Sequence, residues 1–167
     1  MAKINIIAAI DNNRAIGYQN KLLFHIDEDM KHFKQLTTGH AIVMGRRTYE
    51  SLPNGALPHR RNIVVSTTMK QRELAEGYSY HKQQGIEVYS SLTEALAACA
   101  NEDDIYIIGG EKIYQQAIDI AHRLYLTIID ASAPHADAWF PPFDGWLLKE
   151  DSPRQGYSFR VYEKVKG

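Results

Sequence analysis

Continuous apolar runs of strand length recur along this chain with helical patterns between them, and that alternation restricts the fold more than any other feature. The runs fall at residues 4–10, 41–44, 62–66, 86–89, 105–108 and 124–131. A strand with one wet face alternates apolar and polar residues, so an uninterrupted apolar run implies cover on both faces. Helical periodicity falls at 27–37, 47–52, 91–100 and 111–121. Strands covered on both sides and joined by helices form a mostly parallel sheet, since a parallel neighbour needs a crossover connection. The C-terminus changes period. Tyr157, Phe159 and Val161 alternate with Ser158, Arg160 and Tyr162, which predicts a half-exposed antiparallel strand. Pro141-Pro142 and Pro153 punctuate the turns before it. The expectation is a single α/β domain over residues 1–167, with a central, mostly parallel twisted sheet, an antiparallel C-terminal edge and helices on both faces.

Composition narrows the function classes. A chain of 167 residues, 44% hydrophobic and 23% charged, can bury one good core. Nineteen basic against twenty acidic side chains leave no electrostatic footprint for nucleic acid or a membrane surface, so neither is expected as a partner. Cys99 is the single cysteine, in the run Ala95-Leu96-Ala97-Ala98-Cys99-Ala100, and reads as a small apolar helix residue with no disulfide partner. The apolar run at 4–10 is cut off by Asp11-Asn12-Asn13-Arg14 without a small-residue cleavage site. It reads as a buried strand and not a signal peptide, which predicts a cytoplasmic protein. Near-neutral charge and the lack of a surface heptad fit a monomer.

The segment Asp27-Glu28-Asp29-Met30-Lys31-His32-Phe33-Lys34-Gln35-Leu36 carries the first candidate for chemistry. Acids belong in the first helical turn, where unpaired N–H groups and the helix dipole favour negative charge. That explains Asp27, read as an N-cap, and Glu28. It does not explain Asp29, which the i, i+4, i+7 spacing stacks with Phe33 and Leu36, with Met30 beside them. A carboxylate half-buried beside an aromatic has a perturbed pKa and can hold a flat, hydrogen-bonding cation.

Ligands of open α/β sheets bind at the carboxyl ends of strands. Ile105-Tyr106-Ile107-Ile108 ends in Gly109-Gly110 and a helix start, where the backbone can approach a phosphate closely. Ala41-Ile42-Val43-Met44 ends in Gly45-Arg46-Arg47-Thr48, whose guanidinium groups suit a phosphate ester. Asn62-Ile63-Val64-Val65 ends in the hydroxyls Ser66-Thr67-Thr68. Neither G-x-G-x-x-G nor a G-x-x-x-x-G-K-[ST] loop occurs, and no G-x-S-x-G elbow. His25, Asp29 and His32 lack the spacing of a metal site, and no metal is expected.

In order and spacing these motifs resemble dihydrofolate reductases of the bacterial chromosomal kind. The series is Ile7-Ala8-Ala9, Ala15-Ile16-Gly17 with Asn20, Asp29 with Phe33-Lys34, and Val43-Met44-Gly45-Arg46 through Thr48-Tyr49-Glu50-Ser51-Leu52. It continues with Leu57-Pro58, Arg60-Arg61-Asn62-Ile63, Ile107-Ile108-Gly109-Gly110 and Tyr114. Leu124-Tyr125-Leu126-Thr127, Asp137 and Phe140-Pro141 complete it. The resemblance implies NADPH-dependent reduction of 7,8-dihydrofolate to tetrahydrofolate, in support of one-carbon and thymidylate metabolism. It also implies antifolate inhibitors as ligands.

Carried over by position, Asp29 is similar to the acid that binds the pterin amino group and neighbouring ring nitrogen and assists protonation. Thr127, in a strand, is similar to the threonine that hydrogen-bonds to the pterin through the Asp29 carboxylate or a water, and Leu22 falls with them in the catalytic group. Phe33 packs on the pterin ring and aminobenzoyl part, Ile7, Leu52 and Leu57 line the same channel, and Arg60 grips the α-carboxylate of the glutamate tail. On the cofactor side Gly109-Gly110 cradles the pyrophosphate, joined by Arg47 and Thr48. Arg46 with Ser66 and Thr67 takes the 2′-phosphate. Ala9 and Ile16 meet the nicotinamide amide and Tyr114 lies beside its ring. Gly45, Ile108, Glu111, Lys112 and Ile113 complete the cofactor group. Residues 11–25 correspond to a mobile covering loop. The chain departs from the family at Leu23-Phe24, where a Pro-Trp pair is usual, since Phe24 has no N–H to hold a water. Two alternatives stand beside this reading. One is a reductase of the same fold acting on a pyrimidine riboside phosphate, against which Arg60 and the Asp29–Phe33 pair argue. The other is a non-enzymatic pterin- or nucleotide-binding module.

Overall fold

The computed structural model describes residues 2–76 and 85–165. The first half of the chain forms β1 (Lys3–Ile10), β2 (Ala15–Tyr18), β3 (Lys21–Leu22), α1 (Asp27–Thr37), β4 (Ala41–Gly45), α2 (Arg46–Glu50), β5 (Arg61–Val65) and α3 (Thr67–Glu76). The second half forms β6 (Ile86–Tyr89), α4 (Leu92–Ala98), β7 (Asp104–Gly109), α5 (Glu111–Ala117), β8 (Arg123–Ile129), β9 (Ala138–Trp139), β10 (Leu147–Pro153) and β11 (Tyr157–Glu163).

The main sheet has eight strands in the order β10-β11-β8-β1-β7-β4-β5-β6. β1, β4, β5, β6, β7 and β8 pair in parallel, and β11 joins β8 and β10 antiparallel. The mostly parallel sheet with an antiparallel C-terminal edge is therefore as the hydrophobic pattern predicts. Successive strand residues face opposite sides, so β1 feeds two cores. Ile6, Ala8 and Ile10 pack with Ile105, Ile107, Leu124, Leu126 and the helix residues Ala95, Ile113 and Ala117. Ile7 packs on the other face with Ile42, Met44, Val64, Ile86 and Val88, and α1 contributes Phe33 and Leu36 there. Ile6, Ile42, Ile63, Ile86 and Ile107 are wholly buried, each stabilising the fold by roughly 1.5–3 kcal/mol relative to exposure.

Several local expectations change. Ile26, in extended backbone, precedes α1 as its N-cap without a side-chain cap. Asp27 is the first helical residue and its carboxylate meets His25 Nε2 at 3.0 Å instead. It supplies charge to the helix start but no cap hydrogen bond. Met30 is 48% exposed and leaves the stripe, which runs through Asp29, His32, Phe33 and Leu36. Ser91 does cap α4, its Oγ accepting from Glu94 N at 3.1 Å while Glu94 Oε2 accepts from Ser90 N at 3.2 Å. The two bonds satisfy donors on both sides of the helix start, Glu94 reaching back to the residue before the cap instead of to the cap itself. α2 and α5 end earlier than their patterns suggest, at Glu50 and Ala117. β10 is exposed along its whole length and shows no apolar period, and the small sheet β3-β2-β9 is built from strands too short to show one. α3 carries little apolar sequence beyond the buried Met69.

Candidate functional site

The carboxyl ends of neighbouring parallel strands open into a cleft of about 1080 Å³. Ala9 comes from β1, and β4 ends there in Gly45 before Arg46, Arg47 and Thr48 of α2. β5 delivers Ser66 and Thr67, and β7 delivers Ile108, Gly109 and Gly110 before α5 opens with Glu111, Lys112, Ile113 and Tyr114. Ile16 and Leu22 reach it from the small sheet. The cleft thus collects every residue that sequence assigns to the cofactor. It also takes in Ser90 and Ser91 after β6, which sequence reasoning missed, although a Ser-Ser pair ending an apolar run was a signal of the same kind as Ser66-Thr67.

The glycine pair is a cradle that side chains would fill. Gly109 has φ of +137°, and a Cβ there would sit 3.2 Å from Thr48 Oγ1 and 3.4 Å from the Tyr114 hydroxyl. A Cβ on Gly110 would lie 3.3 Å from Thr48 Oγ1. Gly45 faces the same point from β4, 3.9 Å from Gly110 N by the same measure. Backbone is therefore the only surface these positions can offer a ligand, which suits close approach of a diphosphate. At the far end Arg46 stands beside Ser66 and Thr67. Its Nε is 3.6 Å from Glu50 Oε1, with both side chains about half exposed, so the pair is too weak to occupy the guanidinium.

Residues 11–25 cover one side of this cleft and are tied down at several points. The buried Asp11 carboxylate accepts from Asn13 N (2.8 Å), Ala15 N (2.9 Å) and Ala133 N (2.8 Å). Gln19 N donates to Asp137 Oδ2 at 3.0 Å, and Asp137 N to Gly17 O at 3.0 Å. Asn20 Nδ2 donates to Arg47 O at 2.9 Å, joining the loop to α2.

A second group of side chains gathers on the inward face of α1. Asp29 is half-buried there, and Thr127 Oγ1 of β8 donates to its Oδ1 at 2.5 Å. Burial pushes the Asp29 carboxyl above the usual aspartate range, partly offset by the Thr127 hydrogen bond and by His32. His32 is itself pushed down by burial, against the pull of Asp29 and Glu28. Its ring stacks on Phe159 with centroids 4.3 Å apart. Glu28 accepts from Arg154 Nε (3.0 Å) and the Tyr157 hydroxyl (2.8 Å), clamping α1 to the β10–β11 hairpin. Ile7, Phe33, Leu36, Leu52 and Leu57 form one apolar wall. At its rim Arg60 Nε donates to Pro58 O (2.9 Å) and Nη1 to Thr37 Oγ1 (3.1 Å). No carboxylate of the described residues pairs with this guanidinium, so it is oriented but still able to bind an anion. Tyr114 lies between this group and the cleft: its hydroxyl is 2.8 Å from Ile7 O and 2.9 Å from Ile108 O. Desolvation holds it well above the ordinary tyrosine range, so it stays a neutral donor.

The arrangement can place a flat, hydrogen-bonding ring on Asp29 beside a long anionic ligand in the cleft. Among the described residues no helix is long and apolar enough to cross a membrane. A family model described as "Dihydrofolate reductase" matches residues 3–163. The chain is 38% identical over 170 residues to a protein of Bacillus subtilis (strain 168) named dihydrofolate reductase, covering 96% of this chain and 94% of that one. It is 43% identical over 157 residues to a dihydrofolate reductase of Neisseria gonorrhoeae, covering 93% and 90%. It is 36% identical over 167 residues to dihydrofolate reductase HdrB of Haloferax volcanii, covering 95% and 82%.

Proposed function

Since the chain belongs to the dihydrofolate reductase family, we propose that it reduces 7,8-dihydrofolate to 5,6,7,8-tetrahydrofolate with NADPH as the hydride donor. The single observation that carries this reading is the half-buried Asp29 carboxylate, fixed by Thr127 on an apolar wall and set beside the long cleft. Asp29 binds the pterin amino group and the neighbouring ring nitrogen. Thr127 holds the carboxylate against rotation, so both oxygens keep their aim. Ile7, Phe33, Leu52 and Leu57 exclude water from the ring, which strengthens the Asp29 charge by lowering the local dielectric. Arg60 takes the α-carboxylate of the glutamate tail. Asp29 favours the protonated pterin electrostatically, while the proton itself arrives through a water, since no donor side chain is expected at the reacting nitrogen.

The cleft fits a phosphorylated dinucleotide in size and donors. Gly109 and Gly110 with Arg47 and Thr48 would hold its pyrophosphate. Arg46 with Ser66 and Thr67 would hold the 2′-phosphate, the feature that separates NADPH from NADH. Ala9, Ile16 and Tyr114 would hold the nicotinamide end, under the loop that carries Leu22. The protein acts as a cytoplasmic monomer and takes antifolate inhibitors in the Asp29 compartment. The test is loss of NADPH absorbance on adding dihydrofolate, with NADH alongside. Turnover is expected with NADPH and poor turnover with NADH. Arg46→Gln is expected to erode that preference by about tenfold or more, the worth of one charge-assisted bidentate contact. Equal use of the two dinucleotides by the unmodified protein would refute the 2′-phosphate pocket.

A further inference from the structure

We propose that Glu111 is a positioning residue that ties the dinucleotide end of the cleft to the loop covering it, through one hydrogen bond from Trp139 N to its carboxylate. This rests on reading the cleft as the dinucleotide site. Glu111 directly follows Gly109-Gly110 and lines the cleft. An acid is an unexpected neighbour for a pyrophosphate, because like charges repel across so short a gap. Its geometry accounts for it. Glu111 Oε2 accepts from Trp139 N at 2.7 Å, so the carboxylate is engaged with β9.

β9 is where that engagement matters. It pairs antiparallel with β2, Ala15 opposite Trp139 and Gly17 opposite Ala138. β2 in turn pairs with β3, which brings Leu22 to the cleft. Strands of 2, 4 and 2 residues (β9, β2 and β3) cannot hold a sheet together unaided. Their mutual bonds, Asp137 N to Gly17 O and Phe140 N to Arg14 O, join the small sheet to itself. Bonds between Ala15 and Asp11 tie β2 to the end of β1, and Glu111 ties β9 to the start of α5, next to the glycine cradle. One side chain therefore links α5, β9, β2 and the covering loop in sequence. The acid weakens dinucleotide binding slightly through its charge and strengthens loop order through its acceptor oxygen.

Those two effects separate on substitution. Glu111→Gln keeps an acceptor oxygen and removes the charge, whereas Glu111→Ala removes both. Three readouts apply: amide hydrogen exchange of β2 in the free protein, dinucleotide affinity by fluorescence with NADPH and NADH, and the single-turnover reduction rate. Glu111→Ala is expected to speed β2 exchange and slow single turnover by about fivefold each, the worth of one net hydrogen bond. Exchange in β1 and β7 should not change. Glu111→Gln should leave β2 exchange within about twofold of the parent and tighten both dinucleotides by roughly two- to fivefold, as befits an exposed charge. Unchanged β2 exchange and turnover in Glu111→Ala overturns the proposal. So does β2 exchange as fast in Glu111→Gln as in Glu111→Ala, which would assign the effect to charge. The exchange arm needs no dinucleotide, so its outcome stands apart from any failure of the NADPH reading, which NADH binding and turnover report.

Discussion

Replacing Asp29 by Asn is expected to cost most of the activity while stabilising the fold. Asparagine keeps the shape and can still accept from Thr127, whose hydroxyl lies 2.5 Å from Oδ1. The charge is what disappears. Burial raises the Asp29 carboxyl above its ordinary value. A group whose folded pKa lies above its unfolded pKa contributes fully to stability below the unfolded value and loses that contribution as pH rises through the folded one. Ionised Asp29 therefore destabilises the protein at neutral pH, and Asn removes the penalty. The melting temperature of Asp29→Asn should equal or exceed the parent's at pH 7, with the gap closing as pH falls toward the ordinary aspartate range near ~3.9. Activity moves the other way. Two unit charges about 4 Å apart at an effective dielectric near 20 attract by about 4 kcal/mol, and each ~1.4 kcal/mol is tenfold in rate. Loss of that attraction for the protonated pterin predicts about a thousandfold fall in kcat/KM at neutral pH. The residual rate should climb as pH falls, because solvent must then supply the proton without help. NADPH absorbance decay across pH and thermal unfolding of the same samples measure both. A variant within about tenfold of the parent, or one less stable than it at pH 7, would refute the reasoning.

Three further outcomes follow from the same geometry. Thr127→Val removes a hydroxyl that lowers the Asp29 pKa, so the Asp29 titration should move further up, read by carboxyl-carbon NMR, and kcat/KM should drop by roughly tenfold or more, as for a hydrogen bond to a charged acceptor. An unmoved titration contradicts this. On the proposed role of Arg60, Arg60→Gln removes the partner of the tail carboxylate. It should raise KM for dihydrofolate by about tenfold or more with little change in kcat, and should not affect a pterin substrate that lacks the glutamate. Phe140→Ala empties a site that is 0% exposed and lies 5.1 Å, centroid to centroid, from Tyr114. The expected loss is about 3–5 kcal/mol, or roughly 10 °C in Tm by differential scanning calorimetry for a chain of this size.

The departure at Leu23-Phe24 does not disturb the two anchors of the site. Asp29 keeps its Thr127 partner, and Asn20 and Gln19 still fasten the preceding part of the loop. The loop is thus held by backbone and amide contacts ahead of Leu22, which do not need a proline or an indole.

Local pattern alone was enough for the elements that bury a full face. The apolar runs of β1, β4, β5, β7 and β8, the Asp29–Phe33–Leu36 stripe and the Gly109-Gly110 turn all follow from residues adjacent on one strand or one helix turn. Burial is a property of each element's own periodicity, so it is written locally. Conspicuous chemistry was legible for the same reason: a carboxylate on an apolar stripe breaks a local rule. What tertiary structure alone decided depends on register between distant segments. The Thr127–Asp29 bond joins residues 98 apart and the Glu111–Trp139 bond residues 28 apart, and no short window of sequence carries either. The small sheet β3-β2-β9 and the exposed β10 fall below the length or contrast at which a period can be seen. Asp27 and Met30 were read from helix position alone. Asp27 met its neighbour His25 two residues away instead, and Met30 was left in water, because the phase of a helix against its neighbours, unlike its period, is set only when they pack.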